Sequence, residues 1–577
     1  MLRHCDQRSG GFTMTKSNLR LVSPHAVIGT APPRRVPNAE LRTREYLTEA
    51  EVERLIKAAN ANRNGQRDGN CRQRVLKTFG EIRRWRSRHS VATSVRNGDG
   101  MSQLQSIDHI VVLMLENRSF DCLLGKLYPK SDTFEGLSGS EQNPDAHGAS
   151  ITVWNNPGTD EATMRIPNPD PGELWTDINT QLFGGPSAPR PGQVPTMDGF
   201  VRNYLAQQPL NPTETYDPKS VMHYFTPDQV PVLSALAKQF AVCDRWFASA
   251  PCQTWPNRWF VHAATANGHE NNNPPHFPDV PTIFNRLELS GIHNWKIYFH
   301  DFAQAHTLLQ LFLLGSHFHS YGQFQADCQS NTLPAYSFIE PQYFADFGHP
   351  ENDQHPPSVV TLGEQLIADA YNCLRASKAW RKTLLIITYD EHGGCYDQVP
   401  PPAAVPPEPP IANQTFGFDR YGVRVPAVVV SPYVAPGTIF GESSAMPFDH
   451  TSIIVTVRKR FGITQALTAR DAQAPDLDNV LTLPRPRNLG PLRLRALPYA
   501  PSPETAAVAQ IKPLNSMQKA LVGLAANLPP APGTDLETHL AKLKTAGPQP
   551  APPAALTSVH NKRDYVKQQA GNYFQSH

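Results

Sequence analysis

The chain has 577 residues, with 53 Lys and Arg against 51 Asp and Glu and 40% hydrophobic residues. That length supports a large buried core and one to three domains, and the near-balanced net charge of +2 selects no class of partner. The eight cysteines are scattered without a CxxC pair, which argues against a zinc ribbon or a disulfide scaffold; Cys243 and Cys252 are the pair that would join if the chain were exported. No run approaches the roughly 18–20 apolar residues that span a bilayer. The N-terminus has no charged region followed by an apolar core, so no secretory signal is expected. The default compartment is the cytoplasm, with export by another route left open.

Charge is uneven along the chain. Residues 1–100 carry 20 Lys and Arg against 9 Asp and Glu, and the rest carries 33 against 42, so a basic head precedes a mildly acidic body. Residues 1–47 read as irregular, with Pro32-Pro33-Arg34-Arg35. A helix is predicted from Thr48, where Thr48-Glu49-Ala50-Glu51 forms a capping box and Val52, Leu55, Ile56 and Ala59 make one apolar face. The stretch LRTREYLTEAEVERLIKAANANRNGQRDGN, within about residues 33–70, resembles the start of the catalytic domain of tyrosine recombinases. No catalytic set of that family follows in register. The head therefore reads as a fusion remnant or an over-extended start, with Met101 as the natural beginning. The reading from another class is a DNA-binding protein that uses this head against phosphates. The intact acids downstream weigh against it, and nucleic acid is not the expected partner.

From Met101 the pattern changes to strands alternating with helices and long loops, an α/β pattern. His109–Leu115 is an apolar run with the composition of a buried parallel strand, and Glu116-Asn117 follow it at once, before Arg118, Ser119, Phe120 and Asp121. In residues 252–265, CQTWPNRWFVHAAT, Pro256 suits a first helical turn. Thr254 then falls near a helix N-terminus, where the dipole favours an anion. A hydroxyl there, beside Asn257 and Arg258, suits attack on phosphorus; the plainer reading makes Thr254 only a cap. Leu384–Thr388 is a second buried-strand run, and Asp390 and Glu391 lie just past it. Two strands ending in hard oxygen ligands point to a divalent cation between their tips, of an identity the residues do not name. Ala427–Val430 is a third buried strand. Residues 399–410 are too proline-rich for anything but a surface loop. Residues 545–556 read as a linker, and the last twenty or so as a short polar, helical segment. The expected division is a basic extension over 1–100, a catalytic domain over 101–500 and a C-terminal extension over 501–577.

Five motifs in order, ENRSFD at 116–121, QTWPNR at 253–258, NDQHPP at 352–357, TYDEHGGCYDQV at 388–399 and FDHTSI at 448–453, resemble the phosphoesterase family of non-specific phospholipases C and acid phosphatases. The resemblance covers roughly 101–470. It implies an alkaline-phosphatase-like α/β/α sandwich with a mostly parallel central sheet. It also implies a divalent-metal site at Glu116, Asn117, Asp390 and Glu391, a nucleophile at Thr254 and a general acid or phosphate-contacting His355. Asn257 and Arg258 belong to the nucleophile's motif and are expected at the catalytic site. The implied activity is a phospholipase C that releases diacylglycerol and a phosphorylated head group through a phosphothreonine. Acid phosphatase is the alternative. The implied partner is a phospholipid or another phosphoester, met through transient contact with a membrane surface.

The chain departs from the family pattern at several points. Cys122 stands where many relatives have histidine and is not expected to be essential. Glu173, in DPGEL, stands where relatives often have a histidine near the site. It can hydrogen-bond a phosphate only when protonated, and orients a water or ligand when charged. His300-Asp301 is a further candidate for the site, His392 is expected to support its loop, and Asp449-His450 either to reach the site from behind the acids or to make only a structural hydrogen bond.

A chain beginning at Met101 is expected to fold and to keep the specific activity of the full chain, measured on the same phosphoester; a soluble but inactive product would assign the head to the enzyme.

Overall fold

The computed structural model describes residues 102–501, apart from 191, 274–277, 346–349, 412–413 and 442–445, and then residues 514–527 and 558–574. The predicted helix from Thr48 and the linker at 545–556 lie outside the described residues. The centre is an eight-stranded sheet: β1 His109–Leu115, β2 Ala241–Cys243, β3 Trp295–Phe299, β4 Phe318–Ser320, β5 Tyr336–Ile339, β6 Thr383–Tyr389, β7 Ala427–Val430 and β8 Thr438–Phe440, in the order β8-β2-β7-β6-β1-β5-β3-β4. All neighbouring pairs are parallel except the two made by β7, which runs against β6 and β2. Every residue of β6 and β7, and all of β1 except His109, is buried. Successive side chains point to opposite faces, so the sheet is covered on both, which is why these strands are apolar throughout rather than alternating.

Among the described residues the α-helices of nine or more residues are α1 Trp175–Phe183, α2 Pro231–Gln239, α3 Thr254–Ala263, α4 Tyr321–Ser330, α5 Val360–Ala376, α6 Thr451–Arg460, α7 Ser516–Ala526 and α8 Val559–Phe574. None among the described residues is long and apolar enough to cross a membrane. The result is the expected α/β architecture with a mostly parallel central sheet. The six cysteines among the described residues, Cys243 and Cys252 included, are free thiols.

Register places the ends of the two central strands. β1 and β6 pair from His109↔Thr383 to Leu115↔Tyr389, and the ladder continues one step further as the Asp390 N–H donates to the Leu115 carbonyl at 3.2 Å. Glu116 and Asp390 therefore leave the sheet side by side. Behind them the loops that follow the two strands are tied by Arg424. Its Nε donates to Asp397 Oδ1 at 2.9 Å and its Nη2 to Asp121 Oδ1 at 3.0 Å. Its Nη1 reaches the carbonyls of Glu135 and Asp244, and the guanidinium lies 4.5 Å over the Phe120 ring.

The C-terminal residues are not an appendage to this core. Asn515 caps α7, with Gln518 completing the capping box, and Met517, Leu521 and Leu524 are buried in the same cluster as β1 and β6. The boundary expected at residue 500 leaves this helix outside the catalytic domain, whereas its apolar face is part of that domain's core. α8 packs on α7 and adds Val566 to the cluster.

Arg424→Met is expected to leave Asp121 and Asp397 buried without their counter-charge, lowering stability by about 3–5 kcal/mol; the shift of the urea midpoint checks it.

Candidate active site

Two tight turns bring the acids together. Asn117 adopts a left-handed backbone with φ of 55°, a conformation that asparagine tolerates better than most residues. Its N–H donates to Asp390 Oδ1 at 2.9 Å, and its Nδ2 donates to Glu173 Oε1 at 2.7 Å and to Glu391 Oε1. Opposite it, Gly393 has φ of 60°, and a β-carbon there would stand 2.2 Å from the Asn117 carbonyl oxygen. Only glycine lets the two loops approach this closely. The Gly393 N–H donates to Glu391 Oε2 at 2.9 Å and holds that carboxylate in place.

The third contribution comes from the start of α3. Gln253 occupies the N-cap position and Thr254 is the first helical residue. The Thr254 hydroxyl lies 3.2 Å from Asn117 Oδ1 and 3.4 Å from Glu116 Oε2. One turn further on, Arg258 enters the acids: Nη2 is 2.6 Å and Nε 2.8 Å from Glu116 Oε1, Nε is 3.7 Å from Asp390 Oδ2, and Nη1 is 3.8 Å from Glu340 Oε2. Gln304 Nε2 donates to the same Glu116 oxygen at 2.9 Å. One guanidinium thus reaches both strand-end acids, so Glu116, Asn117, Thr254, Arg258, Asp390 and Glu391 converge despite their separation in the chain. Asn257 does not join them. Its side chain accepts from the Ala250 N–H and donates to the carbonyls of Ala250, Cys252 and Gln253, clamping the loop that leads into α3.

His355 borders the acids from another side. Its Nδ1 faces the Pro356 carbonyl at 2.7 Å, while Nε2 lies 3.2 Å from Ser516 Oγ and 3.3 Å from Glu173 Oε1. Asp170, Glu173 and His355 form a second cluster, and it is this one, not Glu116, Asp390 and Glu391, whose ligand atoms all lie within 4.8 Å of one another and could hold a cation as the side chains stand. Sequence reasoning did not place Asp170, Glu340, Gln304 or Ser516 here; only the DPGEL departure drew attention to the segment that carries Asp170. His392 holds its own loop, with Nε2 on Gln181 and Nδ1 3.2 Å from Glu391. His450 stands behind Asp390, with Nε2 donating to its carbonyl at 2.6 Å. Asp449 is turned instead to Ser249 and Arg470. His300 stays outside the acids, stacked on Tyr321 with Nδ1 on the Glu340 carbonyl. Asp301 accepts the backbone N–H groups of Tyr343 and Phe344. Cys122 is buried and donates its N–H to Ser119.

The electrostatics follow from burial. Glu116 and Glu391 are held well above the ordinary carboxyl range, first by loss of water and then by their acidic neighbours. Asp390 and Glu340 are also raised by burial, with Arg258 pulling back. Glu173 is pushed up to about 7 by burial, against hydrogen bonds from Ser516 and Asn117. His450 and His392 are lowered to about 4 and about 3 by burial. Buried acids grouped this way, with one guanidinium among them, suit a divalent cation. Asp390 Oδ2 is buried and accepts no hydrogen bond, so it is a hard oxygen available to such an ion.

This combination defines a class: a mostly parallel α/β sheet whose strand ends gather acids, an amide and a hydroxyl at a helix start. The phosphoesterase family model matches residues 107–464, and the chain belongs to that family. It is an enzyme acting on phosphoester bonds. Among its relatives are Non-specific phospholipase C3 of Arabidopsis thaliana, 38% identical over 74% of this chain and 84% of its own length, and Non-specific phospholipase C6 of the same plant, 37% identical over 76% and 84%. Phospholipase C B of Mycobacterium tuberculosis is 29% identical over 69% and 83%. Among solved structures, a protein in the alkaline phosphatase superfamily from Vibrio parahaemolyticus aligns at 12% identity over 43% of this chain and 63% of its own, with a TM-score of 0.27.

Glu173 takes up its proton near its ordinary value of 4.5 when unfolded and at about 7 when folded. Between those values the folded chain binds more protons, so its stability falls as pH rises through that window. Chelated protein is expected to show a declining melting temperature from pH 5 to pH 7, and added divalent cation to remove most of the decline.

Proposed function

We propose that the chain is a metal-dependent phospholipase C that cleaves glycerophospholipids to diacylglycerol and a phosphorylated head group, with Thr254 as nucleophile. The observation that carries this reading is the Thr254 hydroxyl at the start of α3, within reach of Asn117 and Glu116 and beside Asp390 and Glu391. The names of the relatives favour a phosphodiester of a lipid over a monoester. The substrate is met at a bilayer surface by transient contact.

Glu116, Asn117, Asp390 and Glu391 are the residues that would hold the divalent cation, which supplies Lewis-acid polarisation of a phosphoryl oxygen when bound. Glu116 Oε2 faces the Thr254 hydroxyl and takes its proton as the threonine oxygen attacks phosphorus. The N-terminal end of α3 favours the negative charge that gathers there. Arg258 stays paired with Glu116 and Asp390, balances part of their charge and fixes Glu116 against the nucleophile. As the bond from phosphorus to the diacylglycerol oxygen breaks, His355 gives that oxygen a proton. Water then attacks the phosphothreonine and gives a proton to the now neutral His355, the threonine oxygen leaves with the proton returned by Glu116, and the phosphorylated head group is released. Asn257 contributes by holding residues 250–253, and through them the start of α3.

Thr254→Ala is expected to fold, since a helix-start change costs about 0.5–2 kcal/mol, and to lose essentially all turnover. Thr254→Ser is expected to keep part of it. Rapid quench with a radiolabelled phosphodiester is expected to trap phosphate on the peptide that contains Thr254. An alanine variant that keeps more than about a tenth of the rate, an effect under about 1.4 kcal/mol, would make a water the direct attacker. Parallel assays on phosphatidylcholine and an aryl phosphate separate phospholipase from phosphatase.

A further inference from the structure

Ser516 lies beyond the family match, which ends at residue 464, yet it touches all three members of the second cluster. Its N–H donates to Asp170 Oδ2 at 3.1 Å. Its hydroxyl donates to Glu173 Oε2 at 2.7 Å and lies 3.2 Å from His355 Nε2. Its own position is set elsewhere. It opens α7, whose cap is Asn515 and Gln518; Gln518 Nε2 donates to the Tyr343 carbonyl at 2.7 Å, and Met517 and Leu521 are buried. The hydroxyl is thus delivered by a helix anchored in the core, independently of the loops it meets.

The contacts form a chain that reaches the nucleophile. With Oε2 held by Ser516, Glu173 presents Oε1 to Asn117 Nδ2 at 2.7 Å. That bond fixes the amide so that its Oδ1 faces the Thr254 hydroxyl at 3.2 Å. We infer that Ser516 is a positioning residue of the active site: it orients Glu173, and through it Asn117, toward the attacking hydroxyl, and so makes the C-terminal helix part of the catalytic unit. The inference rests on the reading of Thr254 as nucleophile. A hydroxyl held this way favours alignment over affinity, so its loss is expected in kcat and not in KM.

The test uses the full chain with Ser516→Ala, Ser516→Thr, Glu173→Gln and the double variant Ser516→Ala/Glu173→Gln. Each is assayed on p-nitrophenyl phosphocholine and p-nitrophenyl phosphate, with melting temperature measured alongside. Expected are a fall in kcat of about tenfold to a hundredfold for Ser516→Ala with KM within about twofold, recovery of most of the rate in Ser516→Thr, and little further loss when Ser516→Ala is added to Glu173→Gln. Wild-type kcat in Ser516→Ala overturns the inference. A threonine variant as slow as the alanine one reduces Ser516 to a packing role, and full additivity with Glu173→Gln removes Glu173 from its line of action. Turnover of the monoester alone by the wild type sinks the phospholipase reading and leaves the Ser516 ratios readable on that substrate.

Discussion

The site depends on one constraint: two parallel strands in equal register deliver their acids to the same point, and a single guanidinium, Arg258, stands among them. Two carboxylates about 4 Å apart repel by roughly 4 kcal/mol at an effective dielectric near 20. Loss of water adds to this for Glu116, Asp390, Glu391, Glu173 and Glu340, all of them buried. One fixed positive charge cannot offset such a set, so it resolves by taking up protons or by binding a cation. The raised carboxyls, and an Asp390 oxygen with only a 3.7 Å ion-pair contact from Arg258 and no hydrogen bond, are two expressions of that imbalance. A site built this way is costly to the fold and, on the reading proposed above, useful for chemistry, because the charge that strains it would attract a cation.

Much of the surrounding structure holds that imbalance in place. Arg424 ties the loop after β1 to the loop after β6 through Asp121 and Asp397. Gly393 permits contact between the two loops, and Asn257 fastens the approach to α3. His450 holds the Asp390 backbone from behind. Arg424, Asn257 and His450 are buried, and they spend their hydrogen bonds on backbone, on acid or, at His450 Nδ1, on the Trp246 indole N–H. The acids are therefore placed by covalent neighbours and by fixed donors, and little is left to side-chain freedom.

The sequence was legible where one physical cause dominates. β1 coincides with the apolar run His109–Leu115, and β6 extends the run read at 384–388 by one residue at each end. Thr254 sits at the helix start that Pro256 indicated. The direction of β7 was not legible, because a buried strand has the same composition whether parallel or antiparallel. Asn257 was expected at the catalytic site because it belongs to the motif that carries Thr254 and Arg258. Periodicity cannot show that residues 250–253 fold back and claim its amide. Asp170, Glu340, Gln304 and Ser516 come from loops and a distant helix, where no periodic pattern marks a residue that will meet others far away in the chain.

The distance between paired elements has a consequence for synthesis. β1 is made early, but the strands on either side of it, β5 and β6, are encoded more than two hundred residues later. At about 5–20 residues per second, the ribosome takes on the order of ten seconds to a minute to supply them. Until then β1 is an apolar segment with both edges bare, and such edges invite capture by other chains. The active site closes later still, because Ser516 emerges after every acid it meets. A nascent chain therefore lacks the contacts that Ser516 makes until α7 has been made. That timing would leave the site incomplete for as long as the chain is still being made.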